Sequence, residues 1–220
     1  MARPPLSESQ EDYLKEIYKF SEINPVVNMQ ALAKKLQVKP PSVTGMVRKL
    51  ASMKLVTYAP YKGVELTESG KKVALEIIRH HRLLELYLAR HLNYSWDEIH
   101  DEAERLEHVI SEKFEAAIAE MMGHPTHDPH GDPIPNADLE LPDSVDYQPA
   151  ATLKPGTLCI IKRVLSQDSD VLSLFSRLDL VIGKSIEIAD TDAAGLRIRI
   201  EGNQYLLPHS MARLLLCDIS

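Results

Sequence analysis

From residue 7 onward, apolar and polar positions repeat with a helical period. In SESQEDYLKEIYKFSE, Tyr13, Leu14, Ile17, Tyr18 and Phe20 recur every three to four residues, which predicts one amphipathic helix ended before Pro25. Asn28 is placed to cap a second helix through MQALAKKL, Gln37 to Pro40 reads as a turn, and Pro41 at a first helical position opens a third helix, PSVTGMVRKLASMK. Val43, Met46, Val47 and Leu50 mark the inner face of that third helix. Two short helices joined by a tight turn predict a helix-turn-helix. LVTYAPYKGVELT then gives two β-rich runs around the turn signal at Ala59–Gly63, the pattern of a hairpin wing.

Thr67 is placed to cap a long helix, ESGKKVALEIIRHHRLLELYLARHL, and Ser95 to Glu98 has the spacing of a capping box. The helix after that box is expected to run unbroken to about Met122. GHPTHDPHGDPIPNADLELPDSVDYQPAATLKPG is dense in Pro, Gly and Asp and reads as turns and a linker. The tail has β-type runs, TLCIIKRVL, KSIEIAD and LRIRIEGNQYLLP, with one short helix near DVLSLFSRL. The expected fold is α+β, mainly α: a winged helix-turn-helix over 1–73, a helical domain over 74–140, a linker over 141–151 and a small SH3-like β-barrel over 152–220.

The overall charge of −7 hides a strong asymmetry. Residues 1–73 carry +5, residues 74–142 carry −10 and residues 143–220 carry −2, and eight of the nine histidines fall in the acidic middle. A basic module implies a polyanion partner, and an acidic one rich in imidazole implies cations. No run of eighteen apolar residues exists and the first residues lack a secretory pattern, so a membrane partner is not expected and a cytoplasmic location is. Cys159 and Cys217 lie far apart outside any thiolate-zinc spacing, and both are expected to be buried core residues.

The chemistry concentrates in HDEAERLEH. On a helix turning about 100° per residue, His100, Glu104, Glu107 and His108 share an arc about 100° wide, bordering the apolar stripe of Ala103, Leu106, Ile110, Phe114, Ala117 and Met121. His81 and Glu85 lie one turn apart on the preceding helix, so two helices offer six potential ligands. Arg82, Arg105 and Lys113 are too few to neutralise the surrounding acids, which argues for a metal site over a solvated face. Oxygen and imidazole donors without thiolate point to Mn²⁺ or Fe²⁺, with zinc admissible by raw affinity. His80, His91, Glu98, Asp101, Glu102 and Glu112 read as surface or packing residues.

In a helix-turn-helix the second helix enters the major groove with its early residues toward base edges. Here these are Pro41, Ser42, Thr44 and Gly45, with Lys39 in the turn, while Arg48, Lys49 and, at the hairpin tip, Lys62 are placed to meet phosphates. Two other functional classes make different demands on the sequence. A metalloenzyme would need a nucleophile, oxyanion arrangement or cofactor loop, and none accompanies the cluster. A metal-independent winged-helix regulator of an organic ligand would leave the acidic face merely solvated; no small organic substrate is expected.

The segments IHDEAERLEHVIS, RHHRLLE, VKPPSVTGMVRKL, YKGVELTESGKK and PHGDPIP, in that family's order over residues 7–140, resemble the diphtheria toxin repressor family of metal-dependent transcriptional regulators, including its manganese transport regulator branch. The tail is similar to the SH3-like domain of the longer, iron-regulator architecture. The resemblance implies a first metal site from His81, Glu85 and His100 and a second from Asp12, Glu104, Glu107 and His108. At the positions of Asp12 and Glu104 the iron branch has Met and Cys, so the carboxylates here look like the manganese branch, whose further carboxylate is replaced by Lys15. It also implies a ligand lent by the tail, for which Asp168 is the nearest counterpart and Val171 occupies the second such position. A dimer on a palindromic double-stranded operator follows from the resemblance, with Leu83, Leu86, Tyr87, Ile110, Phe114 and Met121 available for an isologous interface.

Overall fold

The helices begin where the sequence supplies caps. In the computed structural model, which describes residues 6–219, α1 (Glu8–Ser21) starts after Ser7, whose main-chain N–H donates to Gln10 Oε1 at 3.0 Å. Asn28 Oδ1 accepts the N–H groups of Gln30 and Ala31, starting α2 (Met29–Lys35). α3 (Pro40–Ser52) begins one residue earlier than the sequence reading, with both prolines in its first turn, where no main-chain donor is needed. Gln37 takes φ 54° in the turn between α2 and α3. Leu14, Ile17, Leu32, Val43, Val47 and Leu50 are withdrawn completely from solvent and form the interior of this module.

β1 (Val56–Ala59) and β2 (Gly63–Leu66) pair antiparallel with Val56 opposite Leu66, and Val27 and Val64 exchange main-chain hydrogen bonds of 2.9 and 3.1 Å. Gly63, at φ 113°, allows that approach, because a Cβ there would stand 2.7 Å from Val27 O. Thr67 Oγ1 accepts the N–H of Gly70 at 3.1 Å and opens α4 (Glu68–His91), as its position suggested.

The helix expected to continue to Met122 is broken. α5 (Ile99–Leu106) is followed by a turn through Glu107–Ile110, and α6 (Glu112–Met121) starts afresh with Ser111 Oγ accepting the N–H of Phe114. Ser95 N–H does reach Glu98 Oε2 at 3.1 Å, as in a capping box, but only a turn separates it from α5.

The described residues divide into two compact units. One runs through His81 and adds Glu107–Ile110 and Pro135–Glu140; in it Arg79 donates to Pro135 O at 2.6 Å. The other takes Arg82–Leu106, Ser111–Ile134 and the chain from Leu141. The second unit contains an antiparallel sheet in the order β3-β8-β4-β5-β6-β7, formed by β3 (Gln148–Pro149), β4 (Leu158–Val164), β5 (Ser185–Asp192), β6 (Gly195–Ile200), β7 (Asn203–Leu207) and β8 (Leu215–Ile219). α7 (Ser169–Arg177) lies between β4 and β5, and the short α8 (His209–Ala212) between β7 and β8. Alternate residues Cys159, Ile161, Ile186, Ile188, Leu196 and Ile198 point into one core with Leu172 and Phe175 of α7. Cys159 and Cys217 are buried, as expected of two small core residues. The strand β8 was not anticipated from the sequence, because LLLCDI at the chain end has no alternation to mark it.

The stretch read as turns and linker is in part built structure. His127 bridges Pro133, Asp128 Oδ1 accepts the N–H groups of both His130 and Asp132 at 2.8 Å, and Asp128, His130, Gly131 and Ile134 are buried. Among the described residues no helix is long and apolar enough to cross a membrane.

Candidate metal centre and nucleic-acid interface

Asp12, on the second turn of α1, meets the turn after α5. Asp12, Glu107 and His108 each offer a ligand atom within 4.8 Å of the others. His108 Nε2 lies 3.0 Å from Asp12 Oδ1 and 3.3 Å from Glu107 Oε1, and its Nδ1 lies 2.7 Å from Glu11 Oε2. Burial disfavours a charged imidazole here, but the hydrogen bonds to Asp12 and Glu11 and the charge of Glu107 outweigh it and push His108 up to about 10. Glu107 is fully buried, and its Oε1 accepts from Lys15 Nζ at 2.5 Å while Oε2 lies 2.6 Å from His81 Nδ1. His80, read from sequence as surface or packing, is buried with Nδ1 3.0 Å from Glu107 O.

Glu107 and His108 reach these partners because α5 ends before them. Had the helix continued, both would have stood on the arc shared with His100 and Glu104. A donor set of two carboxylates and one imidazole, without sulfur, suits a hard or borderline divalent cation. Glu11, Asp12 and Glu107 also bring more negative charge than Lys15 and His108 offset, which favours such an ion. Glu11 was missed at the sequence level, although it neighbours Asp12, because nothing local shows that residue 108 comes back to it.

Of the remaining predicted ligands, His100 lies beside Glu85, which is fully buried on α4, and Glu104 lies beside His100. His100 Nδ1 stands 3.2 Å from Glu85 Oε1, and His100 Nε2 stands 3.8 Å from Glu104 Oε1 one turn further along α5. Glu104, grouped by the resemblance with Asp12, Glu107 and His108, therefore has His100 beside it, as i,i+4 geometry on an unbroken stretch of helix requires. Asp168 caps α7, its Oδ1 accepting the N–H groups of Asp170 and Val171, and is exposed. Among the described residues Asp168 is part of no group of three converging ligand atoms.

On the basic module, Lys39, Pro41, Ser42, Arg48, Lys49 and Lys62 are exposed, and Thr44 is half-buried with Oγ1 donating to Pro40 O at 3.2 Å. Gly45 lies exposed on α3 and a Cβ built on it would meet nothing within 4 Å. Tyr61, which the sequence reading passed over, stands at the hairpin tip fully exposed with φ 65°. A β-branched or aromatic residue in that left-handed region is uncommon. Of the apolar residues offered for an isologous interface, Leu83 and Leu86 are instead spent in the chain's own core, whereas Phe114 and Met121 are exposed, Phe114 meeting Tyr87 edge-on at 6.3 Å.

Comparison with known proteins gives a consistent result along the chain. The iron dependent repressor N-terminal DNA binding domain matches residues 5–64, the iron dependent repressor metal binding and dimerisation domain residues 67–136, and the FeoA domain residues 149–218. The chain is 30% identical over 220 residues to the iron-dependent repressor IdeR of Mycobacterium tuberculosis, an alignment covering 94% of this chain and 95% of IdeR. It is 28% identical over 197 residues to the diphtheria toxin repressor of Corynebacterium diphtheriae, covering 85% and 87% of the two chains. Among solved structures, a manganese-dependent transcriptional repressor in complex with manganese is similar with a TM-score of 0.87 at 32% identity, covering 96% of this chain and 100% of that one. ScaR with bound Zn²⁺ is similar with a TM-score of 0.79 at 31% identity, covering 95% and 98%.

Proposed function

Since the chain belongs to the family of iron- and manganese-dependent transcriptional repressors, we propose that it represses metal-uptake genes by binding a palindromic operator as a homodimer when loaded with Mn²⁺, or alternatively Fe²⁺. The observation that carries this reading is the convergence of Asp12 from α1 with Glu107 and His108 from the turn after α5. An ion held there supplies two positive charges to carboxylates that otherwise repel one another. Asp12 rides on the DNA-reading module, so holding it against Glu107 and His108 narrows the positions that α1, and α2 and α3 with it, sample. Ligand at about 100 times its dissociation constant, binding only the DNA-competent arrangement, favours that arrangement by roughly 2.7 kcal/mol, about a hundredfold in population.

The all-oxygen-and-nitrogen donor set, with Asp12 and Glu104 as carboxylates, supports manganese over softer ions. Glu85 and Glu104 flank His100, one at each ring nitrogen, and either carboxylate with His100 offers donors of the same chemistry for a second ion; His81 and Asp168 are kept as proposed ligands there only in the family's pattern. Lys39, Pro41, Ser42 and Thr44 would face the groove, and Arg48, Lys49 and Lys62 the phosphates. Short hydroxyls and a proline make few bidentate base contacts, so thymine methyls, bridging water and DNA shape would carry much of the specificity.

The test begins with selection of double-stranded fragments from a random pool in the presence of Mn²⁺. Affinity for the selected sequence is then measured anaerobically with Mn²⁺, Fe²⁺, Zn²⁺ and chelator. At least tenfold weaker binding in chelator is expected; equal affinity with and without metal refutes the metal-dependent reading.

A further inference from the structure

The loop between α6 and β3 carries a histidine outside both ligand sets. His130 is fully buried, its ring stacks on Trp96 with centroids 5.3 Å apart, and its Nε2 lies 3.8 Å from Glu85 Oε1. That same oxygen faces His100 Nδ1 at 3.2 Å, so imidazoles from α5 and from the loop approach one carboxylate. A separation of 3.8 Å is too long for a hydrogen bond. It suits two donors of one cation: with bonds of about 2.1 Å, donors about 90–130° apart stand roughly 3.0–3.8 Å from each other.

The ring is placed by its main chain. His130 N–H donates to Asp128 Oδ1 and His130 O accepts from Val164 N, both at 2.8 Å. β4 is bulged between Ile161 and Arg163, and Gly131, at φ 81°, presses against it so closely that a Cβ would stand 2.0 Å from Lys162 O. Arg163 pairs with Asp132 at 2.5 Å, and Arg82 donates to Pro133 O.

We infer that His130 is a further donor, beside Glu85 and His100, for a divalent cation, and that the sheet domain takes part in this centre by clamping the His130 loop through β4. The inference rests on the metal-dependent reading above.

The experiment uses the full chain and two variants, H130F, which keeps a ring on Trp96, and H130Q; circular dichroism identifies which of them fold. Anaerobic Co²⁺ titration followed by visible absorption, and Mn²⁺ titration by calorimetry, are expected to show two sites in the wild type. A folded variant should bind at one of them at least tenfold more weakly with altered Co²⁺ bands, and the other site should be unchanged. A folded variant with wild-type affinity and bands at both sites overturns the role of His130. A wild-type chain that binds neither ion overturns the metal-dependent reading itself.

Discussion

Replacing Lys15 with methionine probes the charge balance at the Asp12 cluster. Lys15 is 2% exposed and its ammonium donates to Glu107 Oε1 at 2.5 Å, while Glu107 is 0% exposed. Methionine has similar length and keeps the core filled, but it leaves the Glu107 carboxylate with imidazole partners alone. Removing one member of a buried ion pair costs about 3–5 kcal/mol when the remaining charge is left without compensation, and the charged His108 beside Glu107 makes this the upper bound here. The metal-free variant is therefore expected to lose stability by more than the about 1 kcal/mol of an exposed pair and by no more than about 5 kcal/mol. Mn²⁺ at Asp12, Glu107 and His108 returns positive charge to the same carboxylate, so metal should stabilise K15M more than the roughly 2.7 kcal/mol expected for wild type at about 100 times its dissociation constant. Urea unfolding followed by circular dichroism, with chelator and with Mn²⁺, reads both quantities. A loss below about 1 kcal/mol in chelator would show that the ammonium does not hold Glu107 in place, a cost no larger than that of an exposed pair. Equal stabilisation of both proteins by Mn²⁺ would show that Lys15 and the ion do not share that carboxylate.

Asp12→Ala should weaken Mn²⁺-dependent DNA binding at least tenfold in gel shifts and, because Asp12 is foremost among the groups that keep His108 charged, should also lower metal-free stability and flatten its pH dependence; an unaltered metal response removes Asp12 from the ligands. Gly45→Ala fills open space on an exposed helical face and should raise stability by about 0.5–1 kcal/mol, yet reduce DNA affinity if α3 lies close in the groove. Wild-type affinity for selected DNA would show that the Gly45 face does not approach it. Tyr61→Ala should leave the melting temperature in place and weaken DNA binding several-fold; unchanged binding across salt concentrations would free the hairpin tip of that role. His108 is raised in the folded chain from 6.5 to about 10, so its contribution to metal-free stability is complete below 6.5 and lost as pH rises toward 10. Unfolding in chelator from pH 6 to 10 should show that decline, and a flat profile, or the same slope in His108→Ala, contradicts it.

The sequence by itself determined the local elements. Asn28 and Thr67 start helices where their side chains satisfy early N–H groups, Ser7 starts one where the Gln10 side chain reaches back to its N–H, the alternating runs of the tail become strands, and the acidic, histidine-rich middle marks where cation chemistry resides. Even the end of α5 had a local signal, Ser111 as a cap, but an uninterrupted apolar stripe concealed it. The partners were decided only by tertiary structure. Lys15 meets Glu107 across 92 positions, His108 meets Glu11 across 97, and His130 meets Glu85 across 45. A periodic pattern reports which residues share a face of one helix or strand, because it arises from neighbours along the chain. Which faces then meet depends on packing between distant segments, and on breaks such as the turn at Glu107–Ile110 that turn a ligand away from its own helix toward another.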